Sequence, residues 1–193
     1  LHVFISSCAG EARPGSCGRT VRGYEARVEN EEGREVPARE IGNLLVSGES
    51  AFLGYWGKPV LTAQTKTGKW VRTGDKFLVD EEGCYHYCGR VDDMMKVSGM
   101  WVSPGEVENA LLVHPAVEEA AVVAARDGLG FTHPAAYVVL RAGYGRGTEL
   151  SEEFLRFVKS RLAAFKCPRS VELLDELPKT ATGKIQRFKL RGP

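Results

Sequence analysis

The sequence predicts an α+β fold in two parts: a distorted small β-barrel over residues 1–90, then a small mixed α+β domain over residues 91–193. Three observations carry this expectation. Up to about residue 90, short alternating runs are separated by Gly, Asn and Asp turns at regular intervals, the pattern of a small antiparallel barrel. Beyond that point two helical patterns interleave with Val/Ala-rich runs, which points to a sheet with helices packed on it. Between the two lies a stretch, residues 89–108, that is unlike a bland linker. It crowds Arg90, Asp92, Asp93 and Lys96, a glycine turn and a helix start into one short segment.

The elements follow in order. Residues 1–6 read as a strand already in progress, with no preceding cap or start methionine. Residues 10–18 form a loop punctuated by Pro14. Residues 24–29 alternate as a strand, with a turn at 30–33, and residues 43–47 form another strand between Gly42 and Gly48. Residues 69–72 and 76–79 read as two short strands; the turn at 80–83 folds residues 84–88 back as a hairpin. Ser103 is the expected N-cap of a helix with Pro104 at its first position and Glu106 completing a capping box. That helix should end near Val113, before His114 and Pro115. Residues 117–125 and 135–140 are expected to pair as strands. Ser151 and Glu153 open a second helix through about Ala164, apolar at Phe154, Leu155, Val158 and Leu162. Residues 170–174 form a third strand, and residues 182–189 a loop entering a last short helix.

Composition narrows the function classes. The chain has 193 residues, 43% hydrophobic and 26% charged, enough for a packed core. A net charge of +1 argues against a general nucleic-acid or membrane-surface binder. No apolar run approaches the roughly 20 residues of a membrane span. Five scattered cysteines (Cys8, Cys17, Cys84, Cys88, Cys167) fit a reducing cytoplasm better than a disulfide scaffold. A zinc site would need two ligands beyond Cys84 and Cys88 at motif spacing, so buried thiols are the better reading.

Three motifs remain, and together they carry a resemblance. They are the stretch at 89–108, the triplet Thr73, Gly74, Asp75, and the run Pro178, Lys179, Thr180, Ala181, Thr182, Gly183, Lys184, Ile185. In this order and spacing they resemble the hinge, ribose-binding segment and C-terminal lysine motif of adenylate-forming enzymes: acyl- and aryl-CoA ligases, luciferases and peptide-synthetase adenylation domains. Residues 96–104 and 165–187 most resemble benzoate-CoA ligases. The resemblance implies a reaction of an aromatic acid, ATP and coenzyme A giving acyl-CoA, AMP and pyrophosphate, with Mg2+ brought by ATP. It also implies an N-terminal domain holding the acid pocket and the phosphate loop. This chain alone is therefore expected to show no acid-dependent ATP–pyrophosphate exchange. The rivals are an adenylation domain that hands its acyl group to a carrier protein, and a non-catalytic nucleotide- or CoA-binding module.

The resemblance assigns residues as well. Lys184 would bridge the acid and the α-phosphate, where a flexible point charge offsets crowded negative charge; the alternative is a solvated surface lysine. Asp75 would accept hydrogen bonds from a ribose diol and Arg90 would contact the ribose or phosphate; the alternatives are a turn aspartate and a hairpin-end salt bridge. Asp92 would be the hinge, absorbing a large torsion change as the C-terminal domain rotates between half-reactions. Lys96, Ser98, Gly99, Met100 and Trp101 would form the loop facing the pantetheine tunnel, with Gly99 letting backbone approach closely. Asp93 pairing with Lys96 is the plain alternative. Phe165, Lys166 and Arg169 would touch the CoA nucleotide by stacking and charge, against the alternative of an ordinary loop. Within the resemblance, this chain has Met100 where many relatives have a second glycine, and Cys167 where one class of them has an arginine.

Overall fold

A computed structural model describes residues 3–7, 10, 12–145 and 147–191. The chain divides into two compact units, Leu1–Asp92 and Asp93–Pro193.

In the first unit, β1 (Ile5–Ser6) pairs with β2 (Arg19–Thr20). The expected strand at 1–6 is thus shorter; Leu1, His2 and Cys8 lie outside the described residues. The main sheet holds β3 (Tyr24–Glu29), β4 (Gly42–Gly48), β5 (Lys66–Thr67), β6 (Trp70–Val79) and β7 (Tyr85–Arg90). All its pairings are antiparallel: β3 on β4, β4 on β6, with β5 and β7 both along the other side of β6. The sheet curls until Tyr85 Oη, on one edge, donates to Ala26 O on the opposite edge strand at 2.8 Å. Val28, Leu44, Val46, Val71, Phe77 and Tyr85 fill the interior.

Two expectations need correction here. Residues 69–72 and 76–79 are not separate strands: β6 runs unbroken through Thr73, Gly74 and Asp75. Register shifts opposite this segment, against β4 and β7, absorb the irregularity as bulges instead of a break. The helix α1 (Pro59–Thr65) was not anticipated; it starts with Pro in its first turn and buries no residue, so no apolar periodicity announces it.

The second unit opens with a hairpin, β8 (Met95–Val97) and β9 (Met100–Val102), followed by α2 (Pro104–Leu112). Ser103 caps α2, its Oγ accepting from Glu106 N at 3.3 Å. A three-stranded sheet follows in the order β10 (Val117–Arg126), β11 (Thr132–Leu140), β12 (Ser170–Leu174). β11 and β12 run parallel, joined through α3 (Thr148–Lys159) and a 3-10 turn, Ala164–Lys166. A second 3-10 turn, Arg187–Lys189, closes the described chain. α3 begins earlier than expected, behind Gly147, and ends earlier, at Lys159. Ser160 ends it by donating from its backbone to Arg156 O at 3.2 Å and from Oγ to Phe157 O at 2.8 Å.

Side chains alternate across a sheet, and here both faces are used. Ala120, Val122, Ala136, Val138, Val171 and Leu173 face the core built by α2, α3 and the β8–β9 hairpin. Their neighbours Ala121, Val123, Tyr137, Val139 and Leu174 face a second core with Leu177, Ile185 and Leu190. No helix among the described residues is long and apolar enough to cross a membrane.

Candidate functional site

The two faces of that sheet carry two different loops. On the helix side, Met95, Val97 and Val102 are buried and anchor the β8–β9 hairpin, while Lys96, Ser98, Gly99 and Met100 are exposed. Ser98 has φ +49° and Gly99 φ +84°, both left-handed, so the connection is a two-residue turn of the primed kind that matches strand twist. Gly99 is explained first by this backbone, since a Cβ there would meet nothing within 4 Å. Lys96 stands opposite Trp101 in the pairing, its Nζ 5.4 Å from the ring centroid.

On the other face lies the lysine loop. Lys179 pairs with Ile185 as an isolated bridge, and Thr180 N donates to Lys184 O at 2.9 Å. Gly183 N returns to Thr180 O at 2.9 Å, and Thr180 Oγ1 accepts from Lys184 N at 3.1 Å. The backbone of Lys184 is therefore held at both polar groups. Its side chain is exposed and makes no hydrogen bond or ion pair among the described residues. The loop is pinned below: Lys179 Nζ donates to Glu119 on β10, Tyr137 Oη donates to Leu190 O at 2.9 Å, and Ile185 joins the second core.

A charged cluster sits beside it. Glu108 on α2 is 8% exposed. Its carboxylate accepts from Arg187 Nε at 3.1 Å and from Nη2 at 2.9 and 2.8 Å, and Oε1 also accepts from Val122 N at 2.9 Å. Asp93 accepts from Arg191 Nη2 at 2.9 Å and lies 3.9 Å from Arg187 Nη1. The arginine partners of Asp93 were not anticipated from sequence.

The expected CoA contacts divide. Phe165 and Arg169 line a cavity of about 330 Å³ together with Ser98, His133, Lys159 and the buried Cys167. Lys166 does not line it; its Nζ donates to both oxygens of Glu106 at 2.6 and 2.8 Å. Arg169 is held by Asp127, Nη1 to Oδ2 at 2.8 Å. The N–H of Phe131 foremost, with Arg169, holds the Asp127 carboxyl below its ordinary pKa. Burial pushes the Cys167 thiol up, as expected of a structural thiol. Lys159 escaped the sequence reading; its position in the last turn of α3 was the one signal available.

In the first unit, Asp75 and Arg90 face one another in the pairing, with Arg90 Nη1 donating to Asp75 Oδ1 at 3.0 Å. Thr73 Oγ1 accepts from Asp75 N at 3.1 Å and donates to Leu44 O at 3.1 Å, fixing the bend at Gly74. A Cβ at Gly74, whose φ is +78°, would lie 3.0 Å from Arg90 Nη2. Arg90 and the exposed Asp92 line a cavity of about 300 Å³ with Asn43, Arg72 and Gly74. Asn43 and Arg72 were not singled out from sequence. Among the described residues no three His, Cys, Asp or Glu side chains converge to hold a metal ion.

Comparison with known proteins places these elements. Residues 2–56 match the AMP-binding enzyme family and residues 106–184 match the AMP-binding enzyme C-terminal domain. The chain is 50% identical to a benzoate–CoA ligase of Thauera aromatica over 99% of its own length, and spans 36% of that relative. It superposes on a benzoate CoA ligase of Burkholderia xenovorans with a TM-score of 0.88 and 47% identity, covering 99% of this chain and 38% of that one. An anthranilate CoA ligase in complex with anthranoyl-AMP gives a TM-score of 0.89 and 48% identity, over 98% of this chain and 37% of its own. With both parts of one family laid in order along it, and relatives aligned over nearly its whole length, the chain belongs to the AMP-binding, adenylate-forming enzymes.

Proposed function

We propose that this chain is the C-terminal part of an ATP-dependent aryl-CoA ligase of the benzoate-CoA ligase kind, acting in the cytoplasm. The complete enzyme would join an aromatic acid to AMP, release pyrophosphate, and pass the acyl group to coenzyme A. One observation carries this reading: a single compact unit presents a lysine loop on one face of its sheet and an exposed hairpin on the other. A unit with two working faces suits a reaction with two half-reactions, each using one face.

In adenylation, Lys184 would place its ammonium between the acid and the α-phosphate, where negative charge gathers in the transition state. Its fixed backbone, and a side chain without a hydrogen bond or ion pair among the described residues, fit that task. In thioester formation, the tip at Ser98, Gly99 and Met100 would border the thiol's path. Phe165, Arg169 and Lys159 would meet the CoA nucleotide at the neighbouring cavity, Arg169 supplying charge to its phosphates. Asp75 and Arg90 would hold the ribose and phosphate of the nucleotide, and Asp92 would be the hinge. The chain's own residues offer no magnesium site among those described, so no step is assigned to that ion.

The test uses the full-length ligase carrying this chain. Lys184→Ala should lower benzoate-dependent ATP–pyrophosphate exchange by roughly 100-fold or more. Conversion of supplied benzoyl-adenylate to benzoyl-CoA should persist. Equal loss of both steps refutes the role given to Lys184. Offering a carrier protein in place of free CoA separates this reading from a peptide-synthetase domain.

A further inference from the structure

We infer that Arg187, through Glu108 and Asp93, is a positioning residue that sets where Lys184 stands relative to the start of the second unit. This deepens the reading of Lys184 as the adenylation lysine and rests on it. Arg187 follows Lys184 by three residues and opens the 3-10 turn, so its guanidinium fixes the segment that leaves the lysine loop. The fork is bidentate on a carboxylate whose side chain is only 10% exposed. The same carboxylate accepts the N–H of Val122, on the free edge of β10. A buried ion pair is a weak source of stability, because apolar side chains of the same size would do as well. Its planar, two-point geometry is instead a device for fixing position. Here it locks three elements, α2, β10 and the lysine segment, in one register.

Asp93 extends the lock. It is the first residue of the second unit, directly after Asp92. Through Arg187 and Arg191 it is tied to the first residue of the turn that follows the lysine loop and to the chain just beyond that turn. Any rotation about Asp92 is thereby passed to the base of that loop through charge contacts, and Lys184 moves as part of a rigid body. The hairpin at 95–102 is anchored instead by its own buried face, Met95, Val97 and Val102. Arg187 and Glu108 should thus matter to one half-reaction only.

The experiment compares Arg187→Met, Arg187→Lys, Glu108→Gln and Lys184→Ala in the full-length ligase, with Tm recorded for each. A misplaced catalytic group typically costs on the order of 10- to 100-fold. Arg187→Met should lower kcat for acid-dependent ATP–pyrophosphate exchange by that amount and leave thioester formation from supplied acyl-adenylate within about 2-fold. Arg187→Lys should recover little, since an ammonium cannot make the fork. Glu108→Gln keeps an acceptor for Val122 N and the side-chain shape, so it decides the matter where Arg187→Met folds poorly. Selective loss of exchange in Glu108→Gln supports the inference. Equal loss of both half-reactions, or full exchange activity in Glu108→Gln, overturns it. If Lys184→Ala does not itself act selectively on exchange, the reading of Lys184 has failed and the inference falls with it; if Lys184→Ala is selective and Glu108→Gln is silent, only the inference has failed.

Discussion

Ser98 holds a left-handed backbone that costs a non-glycine residue about 1–2 kcal/mol. Asn is far better tolerated there, and Asn-Gly is the preferred pair for this turn. Ser98→Asn should therefore stabilise the protein by about 0.5 kcal/mol, read as a higher Tm, whereas Gly99→Val should destabilise it by more than about 1 kcal/mol. Asp127 makes a prediction in pH. Its folded pKa lies below the ordinary value, held down first by the N–H of Phe131 and then by Arg169. The stability it contributes is present above about pH 4 and is lost as pH falls through the depressed value. The carboxyl resonance of Asp127 should titrate below ordinary aspartates, and Asp127→Asn should flatten the acid limb of stability; an ordinary midpoint would contradict this. The Ser98-Gly99 dipeptide between alternating apolar residues was open to a sequence reader as a hairpin signal. The pairing of Arg187 with Glu108, 79 residues apart, was not, because nothing local marks either as the other's partner.

Elements were legible where one periodicity ruled and obscure where pairing decided. α2 announced itself through Ser103, Pro104 and Glu106, though Glu106 spends its carboxylate on Lys166. Ser103→Ala should cost about 1 kcal/mol, measured by urea unfolding. The apolar stripe of α3 was visible at Phe154 and Val158, both fully buried. Phe154→Ala should cost about 3–5 kcal/mol. The ends of α3 were misread because Ser160 and Gly147 act through backbone geometry that the stripe does not encode. β6 was misread for a related reason. Thr73, Gly74 and Asp75 look like a turn, but Arg72 and Lys76 pair with β4 on either side of them and Asp75 pairs with Arg90 of β7, so the strand continues.

At the scale of the molecule, each core is drawn wholly from one unit. Val28 to Tyr85 supply one, and residues from Met95 to Leu190 supply the others. Residues 93–193 expressed alone should accordingly give a dispersed amide spectrum with slow exchange at Val122 and Val138; a collapsed spectrum would show that the second unit depends on the first. The two-part composition of the chain, strands before the charged stretch and mixed elements after it, was plain in the sequence. The two-sided use of the second sheet was not. Its strands read only as continuous Val/Ala runs, which fit any buried strand.

That two-sidedness leaves a mark a protein engineer can use. In β11, and in β10 beyond the register shift that follows Val117, even-numbered core residues belong to the hairpin side and odd-numbered ones to the lysine side, and in β12 the parity inverts. Adjacent codons therefore address different cores and, on the function proposed above, would address different half-reactions. A library confined to positions 120, 122, 136 and 138 would retune the support of the hairpin, and one confined to 121, 123, 137 and 139 that of the lysine loop. If the proposed function holds, the two half-reactions would be separately evolvable within the same three strands.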